Sequence, residues 1–258
     1  MKEKILEIDN LVVVYDKVFK ALDKINLSIY RREILGIVGE SGCGKTTLAL
    51  SLINLLPSSA QIKGKIYFEG KDILSFSFKD LNELRREKIG FVFQSPQDSF
   101  DPVFTIGYQF KEFLGERLKR DEERKKIIYA SLEKVKIYDK ERILKSYPHQ
   151  LSGGQLQRLA IAFAISLSPS LLVADEPTSN LDVTVESQIV HLFLELRDSL
   201  DLTIIFITHN LDLARVLCDR IAVFYRGKLV EVGARERILE SPQNPYTKLL
   251  VDSSKKFR

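Results

Sequence analysis

Tryptophan is absent from the 258 residues, methionine occurs only at position 1, and cysteine occurs only at Cys43 and Cys218. Two cysteines that far apart make neither a disulfide framework nor a metal-binding cluster, and they point to a reducing compartment. The scarcity of methionine and tryptophan leans toward a thermophilic source. No run of about 18 apolar residues is present, which excludes a spanning helix. The opening MKEKILEIDN is charged and lacks the apolar centre of a signal peptide, so an intracellular protein is expected, one that can still dock on a membrane protein. A large excess of one charge is lacking as well. The net charge of +4 is far below that of a dedicated nucleic-acid binder, and no nucleic-acid partner is expected. Internal repeats and low-complexity segments are also missing.

Apolar residues are not scarce. They make up 45% of the chain, enough for a sizeable core in one large domain or two modest ones. ILEIDNLVVVYD and ALDKINLSIY read as strands, and EILGIVG as a short buried parallel strand ending in glycine. KTTLALSLINLL reads as a helix closed by Pro57. GKIYFEGKDI and KIGFVFQ are further strands. Between Pro96 and Pro148 the texture changes to charged helical segments with no strand signal, which we read as an inserted helical subdomain. After Leu151, helix and strand alternate: LLVADEP, TIIFITH and RIAVFYRGKLVEVG are strands separated by helical stretches. Alternating βα units predict an α/β fold with a mostly parallel sheet flanked by helices. The end, SSKKFR, reads as a frayed terminus.

Five stretches carry chemistry. GESGCGKTT matches G-x-x-x-x-G-K-[ST] without mismatch and lies between a predicted strand and a predicted helix. Gly39, Gly42 and Gly44 allow close backbone approach, so the N–H groups from Gly39, Glu40, Ser41, Gly42, Cys43 and Gly44 can wrap phosphate oxygens. Lys45 is expected to reach the β- and γ-phosphates, Thr46 to ligate Mg²⁺ and Thr47 to bond the α-phosphate. LLVADEPTS delivers two acids to the end of an apolar strand. Neighbouring strand residues face opposite ways, so their jobs differ. Asp175 fits a role at Mg²⁺, direct or one bond removed; Glu176 fits the base that orients an attacking water. Gln94 ends GFVFQ, where it can ligate Mg²⁺ or the water. His209 ends TIIFITH and can contact the γ-phosphate. His149 and His191 read as bystanders. The fifth, LSGGQ at 151–155, places Ser152, Gly153, Gly154 and Gln155 at a helix start, which is itself an anion site.

The order of these stretches resembles the ATP-binding subunit of ABC transporters, over essentially the whole chain. The resemblance implies a P-loop NTPase core with an antiparallel β subdomain (1–95 and 158–250), a helical subdomain at 96–157 ending in the Ser-Gly-Gly-Gln signature, and a tail at 251–258. It implies ATP and Mg²⁺ as ligands and a head-to-tail dimer with a second ATP-binding subunit, identical or homologous. In that dimer the signature of one chain covers the γ-phosphate held by the other, which accounts for two phosphate sites on one chain. Tyr15 matches the aromatic that stacks on adenine. SNLD, from Ser179 to Asp182, matches the loop that communicates across the dimer, although Asn180 replaces the usual small residue and Asn210 stands where an acid is usual.

Two further stretches, FQSPQDSFDPVFTIGYQ and ESPQNPYTKLL, resemble the dipeptide, oligopeptide and nickel importer branch. That branch implies two membrane-spanning permease subunits, an extracytoplasmic solute-binding protein acting indirectly, and a peripheral place on the cytoplasmic face of the membrane. The segment after Gln94, with Phe100 and Pro102, would dock the membrane subunits, local packing being the equal alternative for its aromatics and prolines. A soluble ABC ATPase with no transporter attached is the competing reading. The long coiled-coil insertions of repair members and the paired cassettes of translation members are not found here.

Overall fold

The computed structural model describes residues 3–115 and 117–255. The chain runs β1 (Lys4–Tyr15), β2 (Phe19–Tyr30), β3 (Ile34–Val38), α1 (Lys45–Leu52), β4 (Ala60–Phe68), β5 (Lys71–Asp72), α2 (Phe78–Glu83), β6 (Ile89–Val92), α3 (Ile106–Gly115), α4 (Asp121–Lys134), α5 (Lys140–Lys145) and α6 (Gly153–Ile165). It continues through β7 (Leu171–Asp175), α7 (Val183–Leu200), β8 (Thr203–Thr208), α8 (Leu211–Leu217), β9 (Arg220–Tyr225), β10 (Lys228–Ala234), α9 (Arg235–Glu240) and α10 (Pro245–Lys255).

Two sheets result. One is antiparallel in the order β2-β1-β4-β5; the other has the order β10-β9-β3-β8-β7-β6. In the larger sheet every pairing is parallel except β9 with β10. Strands covered on both faces should be apolar throughout, and β3, β7 and β8 are buried at every residue. Alternate β3 residues feed two cores, as the period of two requires. Ile34 and Val38 join helices α3 to α8 on one face, while Leu35 and Ile37 join α1 and the antiparallel sheet on the other. No strand forms in 96–157 among the described residues. The helices there share the first core through Phe110, Ile128, Leu132 and Ile143, and α6 runs unbroken across 157/158.

Three local expectations need correction, and one open alternative is decided. RIAVFYRGKLVEVG is a hairpin of two strands, turned by Arg226 (φ 47°) and Gly227 (φ 74°); two consecutive positive φ angles suit a tight hairpin turn. Helix α1 stops at Leu52, well before Pro57, and Asn54 is left-handed at φ 48°. Phe100, left open between docking and local packing, packs: it is only 6% exposed and meets Phe163 edge-on at 5.3 Å between ring centroids. The supposed tail from 251 continues α10, with Val251 buried; residues 256–258 lie outside the described residues.

Candidate active site

The C-terminal ends of the parallel strands deliver the chemistry to one edge, where an open α/β sheet is expected to bind ligand. β3 ends at Val38. The chain then passes so close to β9 that a Cβ on Gly39 would sit 2.3 Å from the Phe224 carbonyl oxygen; only glycine fits. Gly44, at φ 107°, caps α1, which has no side-chain cap and no acid in its first turn. Its first N–H groups are therefore free for an anion. Lys45 is buried and donates from Nζ to the carbonyls of Gly39 and Glu40, both at 2.9 Å. Those bonds fold the lysine over its own loop.

β7 brings the acids. Asp175, 3% exposed, ends the strand with Oδ1 buried and without a protein partner. Burial raises its pKa above the ordinary carboxylate value, with the Thr46 hydroxyl and Lys45 pulling the other way. An orphaned buried carboxylate oxygen beside a threonine hydroxyl is a fitting donor set for a hard divalent cation. Glu176 follows in the left-handed region at φ 45°, a strained position for a non-glycine residue that costs about 1–2 kcal/mol. Its N–H is held by the Ile207 carbonyl at 3.0 Å. The strained residue turns its carboxylate onto three expected partners. His209 Nδ1 lies 3.0 Å from Oε2, Gln94 Nε2 donates to Oε2 at 3.5 Å, and Lys45 Nζ lies 3.8 Å from Oε1. Gln94 is pinned in turn by Ser179, whose hydroxyl donates to the Gln94 carbonyl at 3.2 Å. Tyr15 donates from its phenol to Thr47 Oγ1 at 3.3 Å, which ties the β1 aromatic to the start of α1.

The structure thus gathers Tyr15, the phosphate loop, Gln94, Asp175, Glu176 and His209. It does not bring LSGGQ at 151–155 to them. Ser152 Oγ accepts from Gln155 N at 3.3 Å, and Gln155 Oε1 accepts from Ser152 N at 3.0 Å, a capping box that opens α6. Gly154 lies against α7, where a Cβ would be 2.9 Å from Val185 Cγ1. A pocket of about 410 Å³ is lined by Gly39, Glu40, Ser41, Glu176, His209 and Leu250, and no residue of 152–155 borders it.

A family model described as ABC transporter matches residues 22–179, which take in the phosphate loop, the 152–155 stretch and both acids. The chain belongs to the ABC transporter family. It is 40% identical over 258 residues to the dipeptide transport ATP-binding protein DppD of Bacillus subtilis, covering 97% of this chain and 77% of that one. Among solved structures, cbiO1 of Clostridium perfringens, part of the cbiONQ ABC transporter complex, superposes with a TM-score of 0.81 at 29% identity, covering 100% of this chain and 96% of that one. The ATP-binding cassette MJ0796, a dimer bound to ADP and Pi in a post-hydrolysis state, gives 0.78 at 29%, covering 89% and 98%. This chain is accordingly an ATP-binding, ATP-hydrolysing ABC cassette with a P-loop NTPase fold.

Sequence reasoning missed three residues here. Leu250 borders the pocket, Tyr246 stacks on Tyr225 at 4.1 Å between ring centroids, and Glu231 accepts bonds from the backbone of Gln243 and Asn244. The first two lie in ESPQNPYTKLL, a stretch whose spacing alone suggested no chemistry. Glu231 carried no signal at all, being one acid on an edge strand.

Proposed function

We propose that the chain is the ATPase of a peptide importer and works as a head-to-tail pair with a second ATP-binding subunit. The observation that carries this reading is the split of the two phosphate-binding elements. Lys45, Gln94 and His209 converge on Glu176 at the edge of one pocket, whereas Ser152 to Gln155 lie outside it, where only another chain's nucleotide can use them. ATP lies with its adenine on Tyr15, its phosphates in the loop from Gly39 to Thr47, and its γ-phosphate beneath the partner's signature. Lys45 then exchanges its loop carbonyls for phosphate oxygens. Thr46, Asp175 and Gln94 would hold Mg²⁺, which would supply positive charge to offset that of the phosphates. Glu176 orients the attacking water and takes its proton, and His209, held through Nδ1 by that carboxylate, presents Nε2 to the γ-phosphate. Because each γ-phosphate is gripped from both chains, ATP favours the closed pair and hydrolysis loosens it; nucleotide state shifts a two-state equilibrium.

Transport follows if closure moves separate membrane-spanning permease subunits. The exposed residues after Gln94 suit that docking: Val103, and Phe104 stacked on Tyr108 at 4.7 Å. The family likeness to DppD favours a peptide as the solute over the nickel-type cargo of the same branch, with a solute-binding protein delivering it outside. The chain then sits peripherally on the cytoplasmic face.

The test mixes two dead variants. Lys45→Met removes the phosphate grip but keeps the signature; Ser152→Arg does the reverse. Mixing them rebuilds one intact composite site, and phosphate release is expected to recover to a substantial fraction of wild type. No recovery, with both variants folded and able to pair, overturns the reading.

A further inference from the structure

The ESPQNPYTKLL stretch has a structural logic. Glu231 receives the N–H groups of Gln243 and Asn244, both at 3.0 Å, and Asn244 Oδ1 accepts the Tyr246 N–H at 2.9 Å, which starts α10. Thr247 and Val251 are buried, Tyr246 and Leu250 half-buried, and Leu249 67% exposed. Positions 246, 247, 250 and 251 therefore form one inward helix face. Tyr246 places its buried Oη beside the Glu40 backbone of the phosphate loop. Leu250, one turn on, borders the pocket with Gly39, Glu40, Ser41, Glu176 and His209. It also borders the neighbouring pocket that runs along His209, Asn210, Leu211 and Asp212.

We propose that Leu250 is the wall of the γ-phosphate chamber and a specificity-determining residue, through which α10 sets the preference for ATP over ADP. This rests on the reading that Glu176 and His209 face the γ-phosphate. An apolar wall there displaces water from the side of the chamber that the phosphate loop does not cover. The contacts of Lys45 and His209 with the third phosphate are then less screened. ADP has no charge in that space and is insensitive to the wall.

The experiment measures ATP and ADP affinities calorimetrically in EDTA, which removes Mg²⁺ and stops turnover. Leu250→Glu, Leu250→Lys and the exposed-face control Leu249→Glu are compared with wild type. Leu250→Glu is expected to weaken ATP roughly tenfold (about 1.4 kcal/mol) while ADP changes less than about threefold. Leu250→Lys is expected to move the ratio the other way, a reversal that loss of stability cannot produce. Leu249→Glu should leave the ratio unchanged. Equal effects on both nucleotides, or the same ratio shift from Leu249→Glu, overturns the proposal. Should the charged variants not fold, the Leu250 methyl resonances of the wild-type chain, assigned through Leu250→Met, decide. A shift with ATP but not ADP supports the wall, and identical shifts refute it. Undiminished turnover by Glu176→Gln would instead sink the reading of the site itself.

Discussion

Replacing Glu231 with alanine removes a group that touches no nucleotide, yet it should be felt at the active site. The Glu231 side chain is 7% exposed and accepts from Arg237 Nη1 at 2.8 Å and from the backbone of Gln243 and Asn244 at 3.0 Å each. Hydrogen bonds to a charged group are worth about 1.5–3 kcal/mol apiece when one partner is deleted. Water can replace part of the loss, because Gln243 and Arg237 are exposed, so a net cost of about 2–4 kcal/mol is expected. The bonds hold only the entry to α10, and the cost should therefore appear as local opening of that helix. Amide exchange in 245–255 would then quicken roughly 30- to 900-fold, while the central strands β3, β7 and β8 exchange as before. ATP hydrolysis should fall with it, since Tyr246 and Leu250 ride on the helix. Glu231→Gln, which keeps an acceptor oxygen, should recover part of the loss. A folded Glu231→Ala protein whose α10 amides exchange within about threefold of wild type would refute the reasoning.

The same carboxyl gives a pH dependence. Burial works to raise the Glu231 pKa, but the N–H groups of Asn244 and Gln243, the Thr247 hydroxyl and Arg237 outweigh it and lower it below the usual glutamate value. A depressed folded-state pKa stabilises above the unfolded value, about 4.3, and the contribution is lost as pH falls through the folded one; acid titration of α10 exchange should show this loss and Glu231→Gln should lack it. Lys45→Met, which removes the side chain bridging the Gly39 and Glu40 carbonyls, should lower phosphate release by about 100-fold or more without changing the melting temperature by more than a few degrees. Phe100→Ala should cost about 3–5 kcal/mol in urea unfolding, as for any large buried aromatic. Phe104→Ala, at an exposed position, should stay within about 0.5 kcal/mol and lose only transport-linked stimulation.

The parallel sheet was legible because its strands are short and largely apolar, and β3, β6, β7 and β8 are each followed by a motif. The phosphate loop, Asp175, Glu176 and His209 sit where strand ends put them, so reading the strands located the site. The β9–β10 hairpin was hidden because Arg226 is not a residue that advertises a positive φ, although Gly227 beside it is. Phe100 stayed open between docking and packing because aromatics near prolines read alike whether they face solvent or, as here, Phe163. The part played by α10 was out of reach for a different reason. Its inward face depends on a distant acid, Glu231, and on chain reversal after β10, and neither leaves a local period. The capping box that occupies Ser152 and Gln155 was readable from S-x-x-Q spacing, yet the function attached to those residues drew attention away from the local bonds.

The measurement that bears most directly on the central claim is the solution mass of Glu176→Gln with ATP and with ADP, by size exclusion with light scattering. With the base removed, ATP should bind and persist under the grip of two chains. A dimer with ATP and a monomer with ADP is the predicted result. A monomer in both conditions, with ATP shown to be bound, would contradict a site completed by the signature of a second copy of this chain.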